Sequence, residues 1–483
     1  MISITADQTI VYPDPENFYS PDERFPEYRY AHISTKTNPV YRAVRNCFAQ
    51  ADLDRKHLGQ ASWNPLGDFI QPDTRVFVLC NFVFHRVADE SAEDFAAKCI
   101  HGAVLRALVD YLLLAVGENG SVAFGNAPMQ FCHWESVLRD TGAQVVEKFY
   151  QSHGVPVKAK DLRLFVGEKN RYGAIKKIER RNEADGVAVD LAADSLLVDL
   201  DRNPVTPYRV MNYNPARTQG FHAQGSHTYI INRHILEAGA IVSLPKLKTH
   251  EKVGITCALK GFVGAVAHKD SLPHHRYGPP TNGGDEYPSD RTGLLRMASA
   301  LHDRVQQVTP DLTTGNLLRV ADRMVHKVLE PVGPVTEGAW WGNDTAWRMV
   351  LDLARIATYA SATGEMQTLP LRKHLILVDG IIGGEGQGPL FPEAVHSGSL
   401  LFSDNLLAVD YACASLMGLD PGCLPLIREA LKLSKYPLME HQLENEWVIY
   451  NSRSIPISEL ISLASYHYKP PLGWKGKYRQ PER

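Results

Sequence analysis

Four short apolar runs, each followed at once by a polar segment, constrain this chain more than any other feature. They are RVFVLC at 75–80, SVAFG at 121–125, GAIVSL at 239–244 and HLILV at 374–378. Runs of five or six apolar residues behind turn signals are too short for core helices and read as strands buried on both faces. Helical patterns at 95–116 and 133–139 separate the early runs, and a further strand is expected at 143–150. Strand and helix in alternation require parallel crossovers. The expected class is therefore α/β, with a doubly wound, mostly parallel sheet, a β-rich insertion and a helical segment.

At 483 residues the chain exceeds the usual size of about 150 residues per domain. Its character changes along its length. An N-terminal extension (1–70) precedes the first part of the core (71–150). A charge-rich, β-rich insertion (151–210) follows, with alternating stretches near 187–191 and 196–200. Next come the central core (211–290), a helical segment (291–350), the last part of the core (351–435) and a C-terminal extension (436–483). The formal net charge is −3, so any attraction for anions must be local, and nucleic acid is not an expected partner. Seven cysteines with no CxxC pair suit free thiols in a reducing cytoplasm. The first residues carry no basic and apolar leader pattern. The most apolar helical run, 105–116, includes Arg106 and Asp110 and is too short to span a bilayer.

The densest cluster of chemistry is Pro245–Arg276, PKLKTHEKVGITCALKGFVGAVAHKDSLPHHR. Lys248, Lys252, Thr256, Lys260 and Gly264 recur every four residues; a helix is expected over 252–266, and if it ran through all five they would share one face. Lys246 and Arg276 add charge, and only Glu251 and Asp270 oppose it. Lysines alone would suit a solvated surface helix. Placement at a strand end, interspersed glycines and the nearby His250, His268, His274 and His275 argue instead for a ligand. A phosphate or carboxylate at the helix start would meet free N–H groups and the lysines together. Lys246, Lys248, Lys252, Thr256, Lys260 and Arg276 are the anion-binding candidates.

His268, Asp270, His274, His275, Asp285 and Glu286 lie within a short span. Imidazole with carboxylate suits a divalent transition metal, although the spacing matches no standard zinc pattern, and a polar loop is the competing reading. The run DGIIGGEGQGP at 379–389 follows a strand. It is neither a Walker loop nor GxGxxG. Its Gly383, Gly384 and Gly386, with Asn126, offer backbone to a ligand, and Glu385 is the candidate general base. His250 and Lys260 complete the catalytic candidates. His227, Tyr229, Asp344 and Arg348 are weaker ones. The aromatic and basic tail 466–483 reads as a solvated or packed extension.

These segments together resemble a known family. Pro245–Arg276, GGDEYP at 283–288, FGNAPMQ at 124–130, the residues around His222–Tyr229, WWGNDTAWRMVLDL at 340–353 and DGIIGGEGQGPL at 379–390 are similar to the signature of domain of unknown function family 362, over about 70–435. Gly261 stands where that pattern usually has asparagine, and Asn126 where it usually has aspartate. Some relatives carry an iron–sulfur module. This chain has no CxxCxxC run, so no cluster is expected.

Two readings follow. The first is an enzyme acting on a small phosphate- or carboxylate-bearing metabolite, with divalent-metal assistance as an option. The second is a non-catalytic ligand-binding or assembly protein using the same basic pocket.

Overall fold

The computed structural model describes residues 1–169, 175–201, 206–210, 213–223, 225–289, 293–307, 313–329, 337–439, 443, 446–464 and 466–478. Parts of the charge run, of the helical segment and of the basic tail, including Arg479 and Arg483, lie outside them. Among the described residues, eleven strands form one mixed sheet. In chain order they are β1 (Ile2–Ala6), β2 (Arg75–Cys80), β3 (Ser121–Asn126), β4 (Lys158–Asp161), β5 (Ala240–Leu244), β6 (Lys246–His250), β7 (Gly254–Ile255), β8 (Lys373–Gln387), β9 (Phe391–Ser403), β10 (Trp447–Tyr450) and β11 (Arg453–Pro456). The lateral order is β11-β10-β1-β9-β8-β5-β2-β3-β4, with β6 paired to β7 and β8. The strands β8, β5, β2, β3 and β4 run parallel, whereas β9 is antiparallel to both β8 and β1. The α/β class and the mostly parallel sheet expected from the sequence are observed.

The apolar runs are continuous because the strands are covered on both faces. Val76, Val78 and Cys80 face a core shared with the helices Pro39–Gln50, Gly102–Val116 and Ala143–Ser152. Phe77 and Leu79 face the opposite core, with the helices Ala346–Tyr359 and Leu406–Leu416. Strand side chains alternate, so each run serves two layers. The apolar helix Gly102–Val116 is buried along nearly its whole length, with Arg106 paired to Asp110 inside it.

Three expected elements differ. Residues 143–150 are helical, not a strand: Ala143, Val146, Phe149 and Tyr150 are the buried set, and that spacing follows a helix face. Residues 196–200 form a 3-10 helix. The insertion is not separate from the core. Its first strand, β4, is the sheet edge, and Val187, Val189, Leu191 and Leu197 join the main core.

Consecutive strands β2, β3 and β4 step to one side, while β5 lies on the other side of β2. The chain order therefore reverses between β2 and β5, and in open α/β sheets the crevice outside the carboxyl ends at such a point is where ligands bind.

Candidate functional site

A cavity of 130 Å³ opens at that reversal. Asn81, Phe82 and Val83 enter it directly after β2, and Asn126, Ala127, Pro128 and Met129 at the end of β3. His250, Glu251, Lys252, Thr256, Lys260, Gly261 and Gly264 line it from the central segment, with Lys269 and His274 beyond. Pro389 and Leu390 close it after β8. Each of the four polar segments that follow an apolar run thus contributes to one cavity.

The central segment reaches it by a different path from the one its spacing suggests. There is no helix through 252–266. β6 leaves the line of β5 after Pro245, pairs with β8 beyond the sheet's carboxyl edge, and turns at 251–253 into β7. Gly254 makes that turn with φ +91°, a conformation that suits glycine. Helix resumes only at Cys257–Gly261, followed by a 3-10 turn at Phe262–Ala265. Lys246, Lys248 and His250 therefore share a face at the two-residue period of a strand.

The lysines separate into roles. Lys246 lies in a fully buried cluster, donating to the Tyr12 hydroxyl (2.7 Å) and paired with Asp379 (3.2 Å). Its partners make it structural. Lys248 donates to Asn81 Oδ1 (2.9 Å) and to the Lys98 carbonyl, and stands behind Asn81 outside the cavity lining. Lys252 donates to the Glu337 carbonyl, and Lys269 to the carbonyls of Ala127 (2.6 Å) and Val263 (3.1 Å). Lys260 alone among these has no hydrogen-bond partner among the described residues. Burial pushes the amines of both Lys248 and Lys260 down to about 7, with Lys252 adding its repulsion at Lys260.

The two histidines on the cavity are complementary. His250 Nδ1 accepts from the Lys252 N–H (3.1 Å). The neutral ring therefore carries its proton on Nε2. His274 Nδ1 lies 3.0 Å from the Leu272 carbonyl, which only accepts, so Nδ1 is protonated and Nε2 keeps the lone pair. Burial, reinforced by Lys260 and Lys252, holds both rings well below the ordinary imidazole value, His274 at about 3. Among the described residues Glu251 is the only carboxylate on the cavity wall, and burial raises it.

The wall that carries Lys260 depends on a group outside the predicted set. Asp410, on the helix Leu406–Leu416, accepts from the N–H groups of Ala258 (2.7 Å) and Leu259 (3.2 Å). The short helix is therefore capped from within, and the expected anion site at its start is not available. Burial raises the Asp410 carboxyl to about 8. A lone acid in LLAVDYACASL is the sequence signal for such a buried partner. Asn81 and Lys269 were also outside the candidate set, although Asn81 follows a strand directly.

Several candidates lie elsewhere. Glu385 is held by the tail: its carboxylate accepts from the Lys469 N–H (2.8 Å) and pairs with Lys469 Nζ (2.9 Å). It does not line the cavity, so it is not placed to act as a general base on a ligand there. Residues 379–387 belong to β8 rather than to a loop. The glycines serve close packing there. A Cβ at Gly383 would strike the Tyr468 hydroxyl, and one at Gly384 would lie 2.9 Å from Lys248 Cβ and the Ala97 carbonyl. Gly386 accepts from Thr249 Oγ1 through its carbonyl. Arg276 donates to Thr345 Oγ1 (3.3 Å) beside Asp285 (3.6 Å), outside the cavity. Thr256 and Asn126 do line it, each with a buried oxygen lacking a partner among the described residues.

The metal candidates do not assemble. Asp285 accepts from the Arg276 N–H, Thr345 Oγ1 and the Asp344 N–H, and Glu286 from the Gly278 N–H and Ser299 Oγ. His274 faces the cavity, His275 pairs in a small sheet with Arg209, and His268 lies 4.0 Å from Asp270. Among the described residues no three His, Cys, Asp or Glu side chains group closely enough to hold a metal ion. The residues present do not fit the expected site, and no step is derived through a metal. His227 with Asp201, Tyr229 with Asp352, and Arg348 with Asp344 and Asp199 are likewise internal pairs. A wider groove of 960 Å³ contains Arg348 and Arg428, but both are matched by acids.

A family profile described as domain of unknown function (DUF362) matches residues 157–415. The chain belongs to the DUF362 family. The match takes in the whole central segment, Asp379–Leu390 and Asp410. FGNAPMQ at 124–130, which carries the resemblance further towards the N-terminus, lies outside it. No curated protein matches the chain.

Proposed function

We propose that this DUF362 protein is an enzyme that binds a small phosphate- or carboxylate-bearing metabolite in the cavity between β2, β3 and β6. One observation carries the reading: an unpartnered amine (Lys260), a protonated imidazole nitrogen (His250 Nε2) and an imidazole lone pair (His274 Nε2) border a single small cavity. A binding site needs charge and shape. A proton donor and a proton acceptor held beside an amine add what acid–base chemistry requires. Lys252 supplies the field for an anion, against one carboxylate among the described lining residues.

The test uses melting temperature with inorganic phosphate and a panel of small carboxylates. At least one should stabilise the wild type, and Lys252→Ala should weaken its binding by about 1.5–3 kcal/mol, the cost of a lost charge-assisted hydrogen bond. If no anion raises the melting temperature, or the variant binds as tightly, the reading fails. The non-catalytic alternative draws on Glu385, whose carboxylate is tied to Lys469 instead of facing the cavity. Binding without any turnover across a panel of phosphate and carboxylate substrates would favour it.

A further inference from the structure

The five buried lysines of the central segment differ in one respect. Lys246, Lys248, Lys252 and Lys269 each donate to at least one oxygen. Lys260 has no acceptor among the described residues and lines the cavity. An ammonium there would be largely desolvated, with no hydrogen-bond acceptor among the described residues and only the Glu251 carboxylate across the cavity to favour it. A neutral amine has no such cost, and its lone pair is free. Gly261, next in the chain, leaves space: a Cβ there would meet no atom within 4 Å. Phe82, Val83, Met129 and Leu390 give the cavity an apolar wall.

Building on the anion-site reading, we propose that Lys260 is a nucleophile that forms an imine with the carbonyl carbon of a small 2-oxo acid. The Lys260 nitrogen lone pair forms a C–N bond while the C=O π pair moves to oxygen. The His274 Nε2 lone pair carries a proton from nitrogen to that oxygen, giving the carbinolamine. The second amine proton follows, the C–O bond breaks, and the oxygen leaves as water. The sum is amine plus carbonyl giving imine plus water, with no oxidant or reductant. The carboxylate of the 2-oxo acid lies in the field of Lys252, whose repulsion already opposes protonation of Lys260. A buried lysine beside a second cation is a recurrent way to keep such a nucleophile neutral.

Reductive trapping tests this on the full chain. Sodium cyanoborohydride is added with pyruvate, 2-oxobutyrate or 2-oxoglutarate at pH 7.5, and the product is followed by intact mass and peptide mapping. At least one acid should give a single adduct per chain, mapped to Lys260, about a hundredfold faster than at exposed lysines because far more of the amine is neutral. Lys260→Met should lose it. Mapping on the wild type keeps the test valid even if that variant misfolds. Adducts spread over surface lysines, or unchanged in Lys260→Met, overturn the proposal. Lactate, which has the carboxylate and no reactive carbonyl, separates the two readings. Stabilisation by lactate or phosphate with no adduct at Lys260 removes the imine and leaves the anion site. No stabilisation by any of these anions and no adduct removes both.

Discussion

Lys260 stands on the short helix whose first N–H groups the Asp410 carboxyl accepts, and burial moves both groups towards neutrality. Lys260 is displaced from its ordinary 10.5 to about 7. Between those values the unfolded chain binds more protons than the folded one, so this group makes stability rise with pH across that window. Wild type should therefore gain on Lys260→Met by up to about 1.4 kcal/mol per pH unit from pH 7 to 10. Denaturant unfolding of both proteins at pH 7, 8, 9 and 10 checks it, and a difference that stays flat would mean the amine is charged and paired. Asp410 is shifted the other way, from 3.8 to about 8. It stabilises fully below its unfolded value, and that contribution is lost as pH rises towards 8. Asp410→Ala strands two buried N–H groups, at about 1–3 kcal/mol each. Asp410→Asn retains one acceptor oxygen, so it should lose about half as much. Equal losses in the two variants would show that the acceptor is not what matters.

Elements were legible where their apolar pattern settled their type and opaque where pairing partners did. The runs at 75–80, 121–125, 239–244 and 374–378 are strands because both faces are covered, and an unbroken apolar run records that directly. The four-residue spacing from Lys248 to Gly264 groups four residues that line one cavity with Lys248, which does not, and it implies the wrong element. Lys252, Thr256, Lys260 and Gly264 do meet at the cavity, but through a hairpin, a turn at Gly254 and a single helical turn. Nothing local to that stretch announces that β8 lies ready to pair with β6. The glycines of 379–389 misled for the same reason: they make room for Tyr468 and Lys248, neighbours far away in sequence. The tail is another such partner. Trp474 is buried and donates through Nε1 to the Glu251 carbonyl (2.7 Å), and the Tyr478 hydroxyl donates to the Gly254 carbonyl (2.9 Å). Both hold the turn that carries Lys252. Trp474→Ala should cost about 3–5 kcal/mol and should weaken anion binding more than an equally destabilising core change on the far face of the sheet, such as Phe48→Ala. Matched affinity losses in the two would reduce the tail to general packing.

At the scale of the molecule, the family match and the cavity do not coincide. Residues 157–415 include β5, β6, β8 and the helix with Lys260. They omit β2, which lies next to β5 on the sheet, and β3 beyond it; these bring Asn81–Val83 and Asn126–Met129 to the cavity. They also omit β1, which covers the free edge of β9, and the tail beneath Glu251. Without β2, the apolar edge of β5 would present unpaired backbone groups to water or to another chain. The core that Val242 and Leu377 share with Val76, Val78 and the helix Gly102–Val116 would lose those partners. The ligand crevice of such a sheet exists only where strands on both sides of the reversal are present. A fragment of residues 157–415 should therefore aggregate or unfold without a cooperative transition, and no phosphate or carboxylate should raise its melting temperature. Adding residues 1–156 and 416–483 as separately expressed chains would be a poor rescue, because β1 and β2 must enter the interior of the sheet and not its rim. Calorimetric unfolding of the fragment beside the full chain, with and without the stabilising anion, decides the matter. A cooperative transition that the anion shifts in the fragment would place the complete site within the family segment and make β2 and β3 dispensable to it.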